Sequence, residues 1–171
     1  MKTNHVIVVP YNPNWKNEFQ KIKNEVMSAL GDLALSVEHV GSTSVCGLSA
    51  KPIIDIDIVI QDNSVLDEVI GKLELIGYIY EGDLGIKDRE AFRYNNKPDL
   101  MLHHLYVCPK NSLELKKHIA FRNYLKNHPD CIKEYSKIKE EAAKLYPFDI
   151  EKYIEYKAEF INSIYNKISI L

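Results

Sequence analysis

Cysteine is scarce in this chain. Only Cys46, Cys108 and Cys131 occur, with no Cys-x-x-Cys spacing between them. That excludes a disulfide framework and a Cys-based zinc ribbon, and leads us to expect a reduced, cytoplasmic setting. A surplus of basic charge is also missing: the formal net charge is −2 over 171 residues. Extended nucleic-acid binding, which normally leaves a basic footprint, is therefore not expected. No apolar run approaches the roughly 20 residues of a membrane helix, so no membrane partner is expected. Met1-Lys2-Thr3-Asn4-His5 leads into only four apolar residues, Val6 to Val9, before Pro10, so a signal peptide is not expected. Internal repeats, low-complexity tracts and linkers are absent. The length suits one domain, and 46% hydrophobic with 27% charged residues is ordinary for a globular protein.

What is present falls into two periods. Up to about residue 110 short strand signals dominate. Val6–Val9 reads as a strand stopped by Pro10. Asn12 caps a helix with Pro13 at its first position, and Trp15, Phe19, Ile22, Val26 and Leu30 form its apolar stripe, ended by Gly31. Leu33, Leu35 and Val37 alternate as a strand would. Asn63 caps a second helix whose inward face is Val65, Leu66, Val69, Ile70, Leu73 and Ile76. Tyr78-Ile79-Tyr80 and Glu90–Tyr94 flank a turn holding Gly82, Asp83 and Gly85, and Leu100–Val107 reads as a further strand. From Ser112 the period is helical, broken at His128-Pro129 and at Pro147. Asp149 caps the last helix, with Ile150, Ile154, Ala158, Ile161, Ile164 or Tyr165, and Ile168 on its apolar face. The expectation is one α+β domain: a mixed sheet with flanking helices over about 1–110 and a helical C-terminal third over about 111–171.

One stretch carries the chemistry. Ile53-Ile54-Asp55-Ile56-Asp57-Ile58-Val59-Ile60 is a buried strand interrupted only by Asp55 and Asp57. Side chains alternate along a strand, so both carboxylates share a face, with Cα atoms about 6–7 Å apart. Two such charges in an apolar strand repel each other and resist desolvation. A hard divalent cation, Mg2+ or Mn2+, relieves both penalties, so Asp55 and Asp57 are metal-ligand candidates. Upstream, Gly41 permits close backbone approach to a ligand and Ser42, Thr43 and Ser44 offer hydroxyls. A helix starting there would present free N–H groups to phosphate. Lys51 is a further phosphate candidate.

The runs "EHVGSTSVCGLSAKPIIDIDIVI", "HHLYV" and "HIAFRNYLKNHPDCIKEYSKIKEEAAKLYP" resemble the GrpB-like family of predicted nucleotidyltransferases, and the glycine-serine turn followed by Asp-x-Asp resembles the wider polymerase-beta-like superfamily. The resemblance extends from "VPYNPNW" to the last helix. It implies a nucleotidyltransferase fold, a nucleoside triphosphate as donor and an unidentified small-molecule or protein acceptor. It also implies metal-bound catalytic Asp55 and Asp57, with Gly41, Ser42, Thr43 and Ser44 gripping the triphosphate. Members of the superfamily usually carry a third acid on a neighbouring strand. Here the Leu100–Val107 strand offers His103 and His104 instead, only one of which can face the site. His104 shares its face with Leu102 and Tyr106, a less plainly apolar set than that of His103, and is the expected third ligand or base. Asp99 and Glu90 are alternative acids.

Arg89 and Arg93 are candidates for holding a phosphate or an acidic acceptor, Arg122 for reaching the site from the first C-terminal helix, and His118 stands one turn before it. Lys137 and Lys139 read as solvated helix faces, and Tyr135 and Tyr153 as packing residues. Rival readings are a non-catalytic nucleotide sensor of the same fold, a hydrolase using His39, His103 and His104, and a partner-docking module.

Overall fold

The computed structural model describes residues 4–168. Five strands form one mixed sheet: β1 (Ser36–Val40), β2 (Ile54–Ile60), β3 (Tyr78–Gly82), β4 (Glu90–Tyr94) and β5 (His103–Pro109), in the order β1-β2-β5-β4-β3. β2 and β5 run parallel while the other pairs are antiparallel. Helices α1 (Trp15–Leu30) and α2 (Leu66–Leu75) cover one face of this sheet; α3 (Leu113–Lys126), α4 (Pro129–Leu145) and α5 (Ile150–Lys167) make the C-terminal third.

The α1/α2 face is dry. Ile54, Ile56, Ile58 and Ile60 pack there with Leu105 and Val107 of β5 against Ile22, Val26 and Leu30 of α1 and Val69 and Leu73 of α2. Burying each such side chain stabilises the fold by about 1.5–3 kcal/mol relative to leaving it in water. The intervening residues of β2 turn to the opposite face, where Val59 and Cys108 meet Leu115 of α3. A second core, built on Val45, Leu48, Leu125, Tyr135, Phe160 and Ile164, joins the helical third to the loop after β1. Ser49 ties that loop to α4: its N–H donates to Ser136 Oγ at 3.0 Å and its hydroxyl to Glu140 at 2.7 Å.

Several boundaries differ from expectation. The Val6–Val9 segment is not a sheet strand; Val9 bridges to Ala50 and packs on the sheet core, while Val6 and Val8 pack on the helical third with Ala142 and Tyr153. Its apolar residues follow the surfaces they cover, leaving Ile7 exposed, rather than a neighbouring strand. Helix α1 begins at Trp15, two residues after Pro13, because the Asn12 side chain closes a turn onto the Asn14 N–H at 2.9 Å before the helix starts. Leu33 ends a 3-10 turn and Leu35 is exposed, so β1 starts only at Ser36. Asp62, not Asn63, caps the turn leading into α2, accepting from Ser64 N at 2.8 Å.

Candidate functional site

The alternation of β2 places Asp55 and Asp57 on the face away from α1 and α2. Register fixes their neighbours: Asp55 lies opposite Val40 on β1 and His104 on β5, and Asp57 opposite Glu38 and Tyr106. His104 Nδ1 is 2.9 Å from Asp55 Oδ1. His103 turns to the other face, where its ring bonds to Tyr78 Oη at 2.7 Å and the Met101 carbonyl at 2.8 Å. Burial pushes the His103 imidazole down to about 4. Asp57 is fully buried, and burial raises its pKa. Its Oδ2 lies 2.6 Å from His118 Nδ1, and its Oδ1 has no partner. Burial opposes charge on His118, but the hydrogen bond to Asp57 and that carboxylate's charge outweigh it and raise its pKa.

Gly41 stands at the end of β1 with φ 71°, and a Cβ there would come 2.3 Å from Asp55 Oδ2. A side chain there would have to push that carboxylate aside on a left-handed backbone. Ser42–Ser44 is a single 3-10 turn rather than a longer helix. Its hydroxyls diverge. Ser42 Oγ accepts from the ammonium of Lys139. Thr43 Oγ1 is spent on His39 Nε2 at 2.9 Å, and Ser44 Oγ donates to the Gly41 carbonyl at 2.5 Å.

Two cavities meet at Asp55. The first, about 240 Å³, is lined by Ser42, Thr43, Lys51, Asp55, His104, Lys139, Tyr153 and Lys157. Its three lysines converge from the loop before β2, from α4 and from α5. All lose basicity through burial: Lys51 is lowered, Lys157 falls to about 8, and Lys139 falls well below its ordinary value. The Tyr153 ring lies under two of them, with the ammonium groups of Lys157 and Lys51 4.4 and 5.5 Å from its centroid, and its buried hydroxyl has no partner. Desolvation and mutual repulsion both disfavour charge on these three amines, and a polyanion among them would favour it. The second cavity, about 190 Å³, is lined by Val40, Gly41, Asp55, Arg89, Tyr106 and His118.

Other expected residues stand apart. Arg122 is held by Glu38 and the His39 carbonyl, each 3.0 Å away, and pins α3 to β1 instead of reaching a cavity. Arg93 bonds to Asn95 at 3.1 Å and lines neither cavity. Glu90 accepts from the Tyr80 hydroxyl at 2.8 Å, and Asp99 is exposed in its turn. His39 stacks on Phe19 and falls to about 4 through burial, so it is a structural residue rather than part of a histidine cluster. Lys139 is buried, not solvated, and Tyr153 lines the lysine cavity as well as packing. Helical phase carried a signal for both missed lysines: Lys139 shares the buried stripe of Tyr135 and Ala142, and Lys157 that of Tyr153, Phe160 and Ile164.

Among the described residues no group of three His, Cys, Asp or Glu side chains is arranged to hold a metal ion by itself. The unpartnered, buried Asp57 Oδ1 beside Asp55 nevertheless fits a cation that takes its remaining ligands from a bound phosphate. No described helix is long and apolar enough to cross a membrane.

The sequence profile described as GrpB protein matches residues 5–167. The chain belongs to the GrpB family. Glutamate-rich protein GrpB of Alkalihalophilus pseudofirmus is 31% identical over 166 residues, covering 95% of each chain. UPF0157 protein YqkA of Bacillus subtilis is 30% identical over 158 residues, 92% of this chain but only 46% of that longer protein. The crystal structure of conserved protein GrpB from Enterococcus faecalis superposes with a TM-score of 0.83 at 35% identity, covering 94% of this chain and 96% of that one. A likeness of fold alone extends to nucleotidyltransferases. The Cid1 poly(U) polymerase with bound MgGTP matches with a TM-score of 0.55 at 12% identity, over 79% of this chain and 44% of that one. The GrpB chain thus has a nucleotidyltransferase-like α+β fold.

Proposed function

We propose that this GrpB protein is a metal-dependent nucleotidyltransferase, moving a nucleotide from a nucleoside triphosphate to the hydroxyl of a small-molecule or protein acceptor. The observation that carries the reading is the lysine cavity, where Lys51, Lys139 and Lys157 converge with Ser42 directly beside Asp55. In this reading the lysines and Ser42 hold the β- and γ-phosphates, which relieves their mutual repulsion and partners the Tyr153 hydroxyl. Asp55 and Asp57 are the residues that would hold Mg2+ or Mn2+; the bound ion supplies charge neutralisation at the α-phosphate. The acceptor oxygen attacks the α-phosphorus in line. A new P–O bond forms, the bond to the oxygen bridging the α- and β-phosphorus breaks, and pyrophosphate leaves. His104, oriented by Asp55, or His118, oriented by Asp57, takes the hydroxyl proton. Positioning and electrostatics do most of the work. The three unpaired cysteines suit a reduced, cytoplasmic setting.

A second reading, a nucleotide sensor without turnover, is favoured by the residues that β5 presents to the site. They are His104, Tyr106 and Cys108, with no carboxylate among them. Calorimetric titration of the four ribonucleoside triphosphates with Mg2+, followed by assay for released pyrophosphate, tests both readings. Tight binding with pyrophosphate release in the presence of acceptor supports transfer, and tight binding without release supports the sensor. Absence of triphosphate binding sinks both.

A further inference from the structure

The second cavity, lined by Arg89, Tyr106 and His118, is not used by the proposed donor site. We infer that it seats an acceptor bearing an anionic group, phosphate or carboxylate, which Arg89 holds while the acceptor's hydroxyl faces Asp55 and His118. This inference rests on the nucleotidyl-transfer reading for the word acceptor, but the anion seat itself stands on observations independent of the lysine cavity.

Among the described residues only three buried side-chain polar atoms lack a hydrogen-bond partner: Asp57 Oδ1, Tyr153 Oη and Arg89 Nε. A buried donor left unpaired costs about 1–3 kcal/mol, so such atoms are rare without a ligand or water to meet them. The first two belong to the metal and donor parts of the site. Arg89 is the remaining one. Its guanidinium carbon lies over the Tyr106 ring, 4.4 Å from the centroid, and among the described residues no carboxylate comes within 4.0 Å of its nitrogens. An arginine without a carboxylate partner keeps its N–H donors for an oxygen pair, which a phosphate or carboxylate can supply bidentately. The other two arginines are already engaged, Arg93 with Asn95 and Arg122 with Glu38.

Arg89 follows a loop with two left-handed non-glycine residues, Leu84 and Asp88. Asp88 has a φ of 59°, in the left-handed region, immediately before Arg89, and the Arg89 N–H closes the turn onto the Ile86 carbonyl at 3.3 Å. Left-handed backbone at a non-glycine residue is strained and persists where the surroundings demand it. The same cavity is lined by Asp55 and by His118, which is bonded to Asp57. A second anion is unfavourable beside those carboxylates and a neutral hydroxyl is well suited to them. The cavity therefore offers one cation and an acidic wall, and at about 190 Å³ it takes a compact group rather than a nucleobase and its ribose.

The test uses the full chain in Mg2+ buffer with two small hydroxyl-bearing probes, glycerol 3-phosphate and glycerate, and with tripolyphosphate for the donor cavity. The chain has three arginines, so the Nε–Hε signals resolve individually by NMR. The expected result is a shift of the Arg89 signal alone on adding one of the two probes, with at least about tenfold weaker binding in Arg89→Gln and partial recovery in Arg89→Lys. A response to glycerol 3-phosphate identifies a phosphorylated acceptor, and a response to glycerate a carboxylate one. The inference is overturned if neither probe shifts Arg89, or if probe binding is the same in Arg89→Gln. Thermal unfolding of Arg89→Gln checks that its fold is intact, and the NMR shift in the parent decides the matter even if that variant is unstable. Tripolyphosphate failing to bind while a probe shifts Arg89 sinks the donor reading and leaves the anion seat in place.

Discussion

The two faces of β2 differ more than any other neighbouring regions of the molecule. On one, Ile54, Ile56, Ile58 and Ile60 are each entirely shielded and packed against α1 and α2. On the other, one residue away at every step, Asp55 and Asp57 are each bonded to a histidine, and one carboxylate oxygen of Asp57 remains without a partner. The apolar face gains free energy from being shut; the acidic face keeps the cost of a buried carboxylate with one oxygen unpartnered. The strand is thus a rigid rail, and stability is generated on the side where chemistry is excluded. Separable effects of mutations on the two faces follow from this.

Asp55→Asn combined with Asp57→Asn breaks the acidic face. Pyrophosphate release should fall by about 10³-fold or more, as expected when charge stabilisation of the transition state is lost. Magnesium-dependent triphosphate binding should vanish in calorimetry. The metal-free protein should melt at the same or a slightly higher temperature, because a buried charge has gone while His118 keeps an oxygen partner. A double variant that binds nucleotide and metal like the parent places the site elsewhere.

Ile56→Ala breaks the opposite face. It should cost about 2–5 kcal/mol of stability, read as a Tm drop of about 2–4 °C per kcal/mol. Triphosphate affinity of the folded fraction should be unchanged. Equal losses of affinity in Ile56→Ala and the Asp variant would abolish the distinction between the faces.

The histidines sharpen the same contrast one strand over. His104→Ala should remove most turnover with little change in Tm, if His104 takes the proton. His103→Ala, which strips the partner of the buried Tyr78 hydroxyl, should cost about 1–3 kcal/mol and leave the kinetics of the folded protein alone. Full activity in His104→Ala transfers the proton to His118. Gly41→Ala tests the junction between the faces: left-handed backbone and the contact with Asp55 should together lower stability by about 1–3 kcal/mol in thermal unfolding.

The smallest effect is in pH. Burial, with Lys51 nearby, pushes the Lys157 ammonium down to about 8, whereas in the unfolded chain it keeps its ordinary 10.5. Between those values the unfolded chain binds a proton that the folded one does not, so this residue makes stability rise with pH across that window. Binding moves the other way. Only charged Lys157 attracts phosphate, so triphosphate affinity should weaken a few-fold as pH rises through about 8. Binding at pH 9 should take up a proton, measurable by calorimetry in buffers of different ionisation enthalpy. Absence of proton uptake would remove Lys157 from the phosphate site.

Residues close together in the chain announced the core of this arrangement. The period-two run from Ile53 to Ile60 was enough to put Asp55 and Asp57 on one face of a buried strand, and the same alternation separated His103 from His104. Those are local properties of an extended backbone, independent of what packs against it. Most strand and helix locations followed from periodicity; Val6–Val9 packs on Ala142 and Tyr153 instead of joining the sheet, Leu33 lies in a 3-10 turn ahead of β1, and Ser42–Ser44 is a single turn.

The charges that surround the acids were a different matter. Lys139 and Lys157 lie 82 and 100 residues after Asp57; helical phase marks them as inward-facing, but only the folding of α4 and α5 over the loop at Ser42 brings them to Asp55. Arg122 and Arg89 looked equally suited to an anion; only packing joined one to Glu38 and left the other unpaired over Tyr106. Sequence by itself determined the acidic rail, because alternation is set within a few residues. Tertiary structure alone decided which cations meet it, because burial and pairing depend on segments that a linear pattern does not connect.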